Sequence, residues 1–377
     1  MFLRPCFLTA TGCSGLVIRC TPSPFLAMMI KPSLTNIDNQ AVVMVYPSYA
    51  TELEDGSWKV RIVGSVFGED DGDVGLQKRL LLKLFARVLK ARPDQLESDL
   101  FQERIRGFIL NAERGKRVAI RIGSHVFRLK KKSKRNGQFA GTVRLSRQQM
   151  IELTEGDPWL NFNVLTRGNQ EVDGGQVHLL DRHGVSVISD IDDTMKHTGV
   201  GCRKSLLANT FLNEFENIDG MAAVYRRWAE LGANFHYVSS SPWQLFEPLL
   251  KFCKEHDFPA GTFHLRQFRL RDHMLRRLLL VRRGKGTVIK RLIKTCSQRQ
   301  FVLIGDSGEK DPEIYGKIAR RFPDQIAGIY IRDLPNRPLD SMRRKKAFQN
   351  LPGPLCNIFR DANELPDDIL IGAAHAV

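Results

Sequence analysis

The chain has 377 residues, 42% hydrophobic and 26% charged, a balance that excludes a mainly disordered chain and a collagen-like or coiled-coil rod. No run of about eighteen apolar residues occurs, which argues against a polytopic membrane protein, and the length predicts two or three domains. Lys and Arg number 57 against 41 Asp and Glu, a net charge of +16 that favours phosphorylated substrates, acidic lipid surfaces or nucleic acid without choosing among them.

Residues 1–35 read as a leader, disordered or weakly signal-like. Arg4 precedes a poor apolar run over 7–18, and Arg19 stands where a cleavage site wants a small residue. A start site placed too early, ahead of Met28 and Met29, accounts for the segment equally well. The expected location is cytoplasmic, peripheral to a membrane at most, with export left open by this segment. The seven cysteines form no CxxC pair, so neither a disulfide framework nor a structural zinc site is expected.

From residue 36 to about 175 the pattern is that of a small β-rich, sandwich-like domain with one inserted helix. β-branched runs at 41–46 and 58–63 predict strands. Over 76–91, Leu80, Leu81, Leu84, Phe85 and Val88 share one helical face, and Pro93 ends the helix. Strands follow at 117–122, 125–129, 139–145 and 160–165. Between two of them, Lys130 to Gly137 reads as a hairpin loop with Asn136-Gly137 as the turn. The five basic residues from Lys130 to Arg135 suggest that this loop docks on an anionic membrane.

From about 176 to 377 strands alternate with helices, which predicts an open α/β fold with a parallel sheet of about five strands. The strands are expected at 185–189, 234–239, 301–305, 326–331 and 355–359. The helices fall at 221–231, 244–256, 287–295 and 312–321. Sites on such sheets lie at the carboxyl ends of strands, and no large cap domain fits between them.

Four chemical features occur at those ends. Asp190, Asp192 and Asp193 place three carboxylates within four residues after an apolar strand, an arrangement that is costly without a cation. Of the pair Asp190 and Asp192, one can attack phosphorus while the other handles a proton. Ser239, Ser240 and Ser241 suit a phosphoryl oxygen, or simply cap a helix. Lys285 precedes the third of the helices and has no meaning alone. Asp306 and Asp311 flank a second acidic turn able to reach a hard divalent cation, although Asp311-Pro312 is also a helix start.

The ordered set resembles the four motifs of the haloacid dehalogenase superfamily of phosphohydrolases, a Rossmann-like core. The longer strings 185–196 (VSVISDIDDTMK), 264–270 (HLRQFRL) and 305–315 (GDSGEKDPEIY) resemble the catalytic domain of the actin-patch-protein type of phosphatidate phosphatase. The resemblance implies a Mg²⁺-dependent hydrolase that converts phosphatidate to diacylglycerol and phosphate through an aspartyl-phosphate. It implies Asp190 as nucleophile and Asp192 as acid and base. Mg²⁺ would be held by Asp190, by the Asp192 backbone carbonyl, by Asp306 and, directly or through water, by Asp311. Thr194 would hold the loop, Ser239 with Ser241 would bind phosphoryl oxygens, and Lys285 would offset charge between Asp190 and the phosphate.

Substrate is the weaker step. Twelve Lys and Arg between His264 and Arg299 face a single acid, Asp272, so Arg266 and Arg269 beside the site are candidates for binding anionic phospholipid at a membrane surface. The same stretch reads equally as a solvated basic face. A soluble phosphoester or a nucleic-acid end is the alternative substrate, although no nucleic-acid module is visible and nucleic acid is disfavoured. A catalytically retired protein that binds anionic lipid is the remaining alternative.

Overall fold

The structure, a computed structural model, describes residues 34–68, 79–80, 82–84, 86–87, 90–266 and 284–369. Much of the helix expected over 76–91, and Arg269 with it, lies outside these residues.

The first part carries β1 (Val42–Val45), β2 (Ser48–Glu52), β3 (Trp58–Phe67), α1 (Pro93–Glu97), α2 (Asp99–Ile109), β4 (Ala119–Ile122), β5 (His125–Arg128), β6 (Gln138–Leu145), α3 (Arg147–Thr154), β7 (Trp159–Leu165) and β8 (Glu171–Leu180). Its strands form one eight-stranded sheet in the order β1-β3-β2-β8-β7-β4-β5, with β6 on the other side of β3. The sandwich expectation is therefore corrected to a single sheet, because the parallel pairing of β2 with β8 joins the two halves. Val60, Ile120, Phe139, Phe162 and Val177 all meet in one core inside it.

The hairpin expectation also changes. Gly137 does turn the chain at φ 75°, donating to the Lys134 carbonyl at 3.0 Å. The strands on either side pair elsewhere: β5 returns along β4 through the tight turn at Gly123, which leaves β6 for β3. Helix α3 begins with a capping box in which the Ser146 hydroxyl accepts from the Gln149 amide and Gln149 Oε1 accepts from the Ser146 amide.

The second part contains β9 (Val185–Ser189), α4 (Arg203–Phe211), α5 (Met221–Glu230), β10 (Asn234–Pro242), α6 (Phe246–Glu255), β11 (Gly261–Arg266), α7 (Lys285–Thr295), β12 (Gln300–Asp306), α8 (Asp311–Arg321), β13 (Ile326–Arg332), α9 (Ser341–Ala347) and β14 (Cys356–Phe359). Its six strands lie in the order β11-β10-β9-β12-β13-β14, and every pairing is parallel. The sheet has six strands rather than about five because β11 adds an edge.

Strand β9 is central and buried throughout, as a parallel strand covered on both faces must be. Its side chains alternate between two cores. Val185 and Val187 pack with Tyr225, Trp228 and Phe246, while Ile188 packs with Ile289, Leu292 and Ile318. The first of these cores also takes in Tyr46, Phe67, Phe101 and Phe108 from the first part, so the two parts pack as one unit among the described residues. Tyr46 stacks on Trp243 at 4.1 Å, and the Phe263 amide in β11 donates to the Pro47 carbonyl at 3.3 Å.

Candidate active site

The acidic loop after β9 is held on all sides. The Asp190 amide donates to the Ile304 carbonyl of β12 at 2.9 Å, which extends the strand pairing by one residue. The chain then turns so that the Met195 and Lys196 amides both donate to the Ile191 carbonyl. Asp193 sits at φ 56°, a conformation that few residues other than glycine adopt. Its carboxylate accepts the amides of Thr198, Gly199 and Val200 at 2.7–2.8 Å. Asp193 therefore clasps the loop, as an acid with no chemical role would.

Asp190, Lys285, Asp306 and Asp311 converge at the carboxyl ends of β9 and β12 and the first turns of α7 and α8. Lys285 Nζ lies 2.8 Å from Asp190 Oδ1 and 2.5 Å from Asp311 Oδ1, with all three side chains no more than 3% exposed. Thr194 Oγ1 donates to Asp190 Oδ2 at 3.5 Å. One oxygen of Asp306 accepts the Gly308 and Glu309 amides, while Oδ2 is buried without a partner. Ligand atoms of Asp190, Asp306 and Asp311 all lie within 4.8 Å of one another.

The electrostatics follow from crowding. Burial raises Asp190 well above the ordinary carboxylate range, Lys285 opposes the rise, and Asp311 adds to it. Burial followed by Asp311 and Glu309 raises Asp306 in the same way. Burial also brings Glu309 up to about 7, against the pull of Lys285. Burial would lower Lys285, but Asp190 and Asp311 more than offset it and hold it well above its usual value. A buried cluster with more negative groups than positive ones, and with an orphaned carboxylate oxygen, suits a hard divalent cation held by Asp190, Asp306 and Asp311.

Asp192 occupies a second, adjoining network. Lys196 Nζ and Thr198 Oγ1 approach its Oδ1 at 2.8 and 3.0 Å, and the Ser239 and Ser241 hydroxyls donate to its Oδ2 at 2.9 and 2.8 Å. Its side-chain oxygens are thus taken up by this network, and the two serines face Asp192. Ser240 ties the networks together by donating to Glu309 Oε2 at 3.2 Å, and that oxygen is 3.9 Å from Lys285. Arg266 ends β11 and lines the cleft above Ser239.

Three residues of this site, Lys196, Thr198 and Glu309, received no role from the sequence. Lys196 closes the string beginning at Val185 and Thr198 follows two places later, but only the turn after β9 swings them back onto Asp192. In the opposite direction, Arg299 belongs to the basic stretch by sequence but not by position. It is 2% exposed and donates to the Asp181, His183 and Val185 carbonyls and to Ser186 Oγ. It is a brace for β9, not part of a basic face.

Residues 185–333 match the family described as phosphatidate phosphatase APP1, catalytic domain. That segment is similar to an APP1-type catalytic domain. Phosphatidate phosphatase APP1 of Saccharomyces cerevisiae is 39% identical over 162 residues, and an uncharacterised protein of Schizosaccharomyces pombe is 40% identical over 168. Each alignment covers 42% of this chain but only 27% of the relative, so the chain spans about a quarter of the length of these relatives. Among solved structures, an apo phosphoserine phosphatase overlaps at a TM-score of 0.31 with 10% identity, over 48% of this chain and 96% of that one. The matched residues include the whole acidic loop, the serines, Lys285 and the second acidic turn.

Proposed function

We propose that this chain is a Mg²⁺-dependent phosphatidate phosphatase with a haloacid-dehalogenase-type core, acting at a membrane surface from the cytoplasm. In this reading residues 1–35 are a leader, 36–175 a β-rich domain and 176–377 the catalytic domain. The observation that carries it is the meeting of Asp190, Lys285, Asp306 and Asp311 from four separate elements, within a segment that matches a phosphatidate phosphatase catalytic domain.

A cation held by Asp190, Asp306 and Asp311 would supply Lewis-acid charge to the phosphoryl oxygens. Lys285 reduces the repulsion between the Asp190 carboxylate and an incoming phosphate dianion. With the phosphate dianion bound beside it, Asp192 takes up a proton from solvent; Asp190 attacks phosphorus, the bond from phosphorus to the glycerol oxygen breaks, and Asp192 gives that proton to the leaving alkoxide. Water then attacks the aspartyl-phosphate, the bond from phosphorus to Asp190 breaks, and Asp192 receives the water proton. Ser239, Ser241 and Lys196 fix the Asp192 carboxylate for that exchange. Among the described residues no helix is long and apolar enough to cross a membrane, which suits access to substrate from the surface.

The test is release of inorganic phosphate from phosphatidate in mixed micelles, with and without Mg²⁺, beside Asp190→Asn. Mg²⁺-dependent release that the variant loses is the expected result. Release from an aryl phosphate but not from phosphatidate would discard the lipid, and silence on both would overturn the enzyme reading.

A further inference from the structure

A cleft of about 980 Å³ opens between the two sheets, and the catalytic residues Ser239 and Lys285 lie at one end of it. About half of its wall comes from outside the matched catalytic segment. Strand β3 contributes Arg61 and Val63, β6 contributes Phe139, and the loop between β5 and β6 contributes Lys130, Lys131, Lys132 and Lys134. Across from them stand Arg291 and Leu292 of α7, with Trp243.

The charge in this cleft is one-sided. Arg61 from strand β3 and Arg291 from helix α7 are close enough that, after burial, the Arg291 charge helps to hold the Arg61 guanidinium below its ordinary value. Burial, and then the same two charges, depress His264 on the cleft wall. Neither arginine, nor any of the four lysines, pairs with a carboxylate among the described residues. Two guanidinium groups brought together from a strand and a helix, with no acid paired to them among the described residues, are costly unless an anion completes them. The apolar strip of Val63, Phe139, Trp243 and Leu292 beside them suits a ligand that is part hydrocarbon.

We infer that this cleft is a second phosphate subsite for a lipid headgroup. In it, Arg61 and Arg291, flanked by Lys130–Lys132 and Lys134, hold the phosphate of an acidic phospholipid neighbouring the one presented to Asp190. The inference deepens the function proposed above and rests on it for the identity of the first lipid. The β-rich sheet is then part of the lipid site, not merely a neighbour of it.

Co-sedimentation of the full chain with phosphatidylcholine vesicles, with and without phosphatidylglycerol, tests this without any hydrolysis, since phosphatidylglycerol carries no phosphomonoester. R61Q/R291Q is expected to weaken binding to the acidic vesicles by about tenfold or more, whereas K345Q/K346Q, which removes equal charge from the exposed face of α9, is expected to weaken it less than about twofold. Because Arg61 is half-buried, K130Q/K131Q/K132Q serves as a second cleft variant, and thermal unfolding of each protein checks that it folds. Equal losses in the cleft and α9 variants, or none in the cleft variants, would overturn the inference. Displacement from vesicles by soluble glycerol 3-phosphate would assign the cleft to free phosphate and overturn the lipid assignment. Failure to hydrolyse phosphatidate alongside cleft-dependent vesicle binding would sink the proposed reaction and leave the subsite standing.

Discussion

Lys196 and Asp192 form a buried ion pair at 2.8 Å, with side chains 2% and 9% exposed, at the edge of the three-acid cluster. Burial alone would raise the Asp192 carboxyl, yet Lys196 first, and then the Ser241 and Ser239 hydroxyls, bring it down to about 2. The lysine is held in turn by Thr198 at 2.6 Å and by the Phe215 ring at 4.5 Å. Asp192 is thus kept as a carboxylate in a place where burial would otherwise protonate it.

Replacing Lys196 by Met should therefore leave Asp192 as an uncompensated buried acid, with a stability loss of about 3–5 kcal/mol. Turnover should fall by roughly a hundredfold, as for the loss of a positioned proton-transfer group. The pH profile of phosphate release should shift as well, because the acid limb would move up with the freed carboxyl. Denaturant unfolding and a rate-pH curve measure both, and an unshifted profile would assign Lys196 to packing alone.

Asp306→Asn separates charge from shape at the cluster. Wild-type protein should unfold at a higher temperature with Mg²⁺ than with chelator, since anything that binds only the folded state stabilises it. The variant should lose most of that difference. In chelator it should match or exceed the wild type, because one of three crowded buried carboxylates has been neutralised. A variant with an undiminished Mg²⁺ effect would take Asp306 out of the metal site.

Two glycines separate catalytic from packing constraints. A Cβ on Gly305 would collide with the Asp311 carboxylate, whereas one on Gly316 would run into the Ala347 backbone carbonyl, where α8 meets α9. Gly305→Ala is expected to cost at least about tenfold in turnover with a modest change in melting temperature, since a short side chain can swing aside. Gly316→Ala should do the reverse, with about 2 kcal/mol or more of destabilisation, because backbone cannot move aside cheaply. Parallel activity and melting measurements on the two variants decide, and identical profiles would contradict the distinction.

His236 and His264 lie beneath the cleft, bridged by the Thr262 hydroxyl at 2.7 and 2.9 Å. Burial, then Arg61 and Arg291, lowers His264 from 6.5 to about 3, and burial with the neighbouring His264 lowers His236 well below its usual value. The unfolded chain takes up protons on these rings near 6.5 while the folded chain does not, so the unfolded state binds more protons in the interval down to about 3. Stability should accordingly fall as pH drops through that window. Urea titrations at about pH 7 and pH 5 should show a smaller loss for His264→Gln than for the wild type, and an equal loss would exclude this histidine as a source.

Much of the parallel sheet was legible because its strands are buried on both faces and read as apolar runs ending in acids, Val185–Ser189 above all. Strand β2 was not, because Ser-Tyr-Ala-Thr-Glu is polar yet four of its five residues are buried between β3 and β8. Strand β8 was not legible either, since Gly174 and Gly175 interrupt it and Gly175 makes room for the Phe162 ring. Asn136-Gly137 announced a turn correctly but could not say which strands would pair across it. At the site, the acids and serines stood out by type and position. Lys196 and Arg61 did not, because the meaning of a lone basic residue depends on what tertiary structure places opposite it.

The aromatic contact between Tyr46 and Trp243 carries a practical corollary. The stretch that matches the family opens at residue 185, yet Tyr46, Phe101 and Phe108 fill the same core as Val187 and Tyr237. An expression fragment trimmed to the aligned stretch would bare an aromatic face of its own sheet, and such faces aggregate. The limits of alignment and the limits of foldability do not coincide in this protein, and any truncation series should begin upstream of Val42.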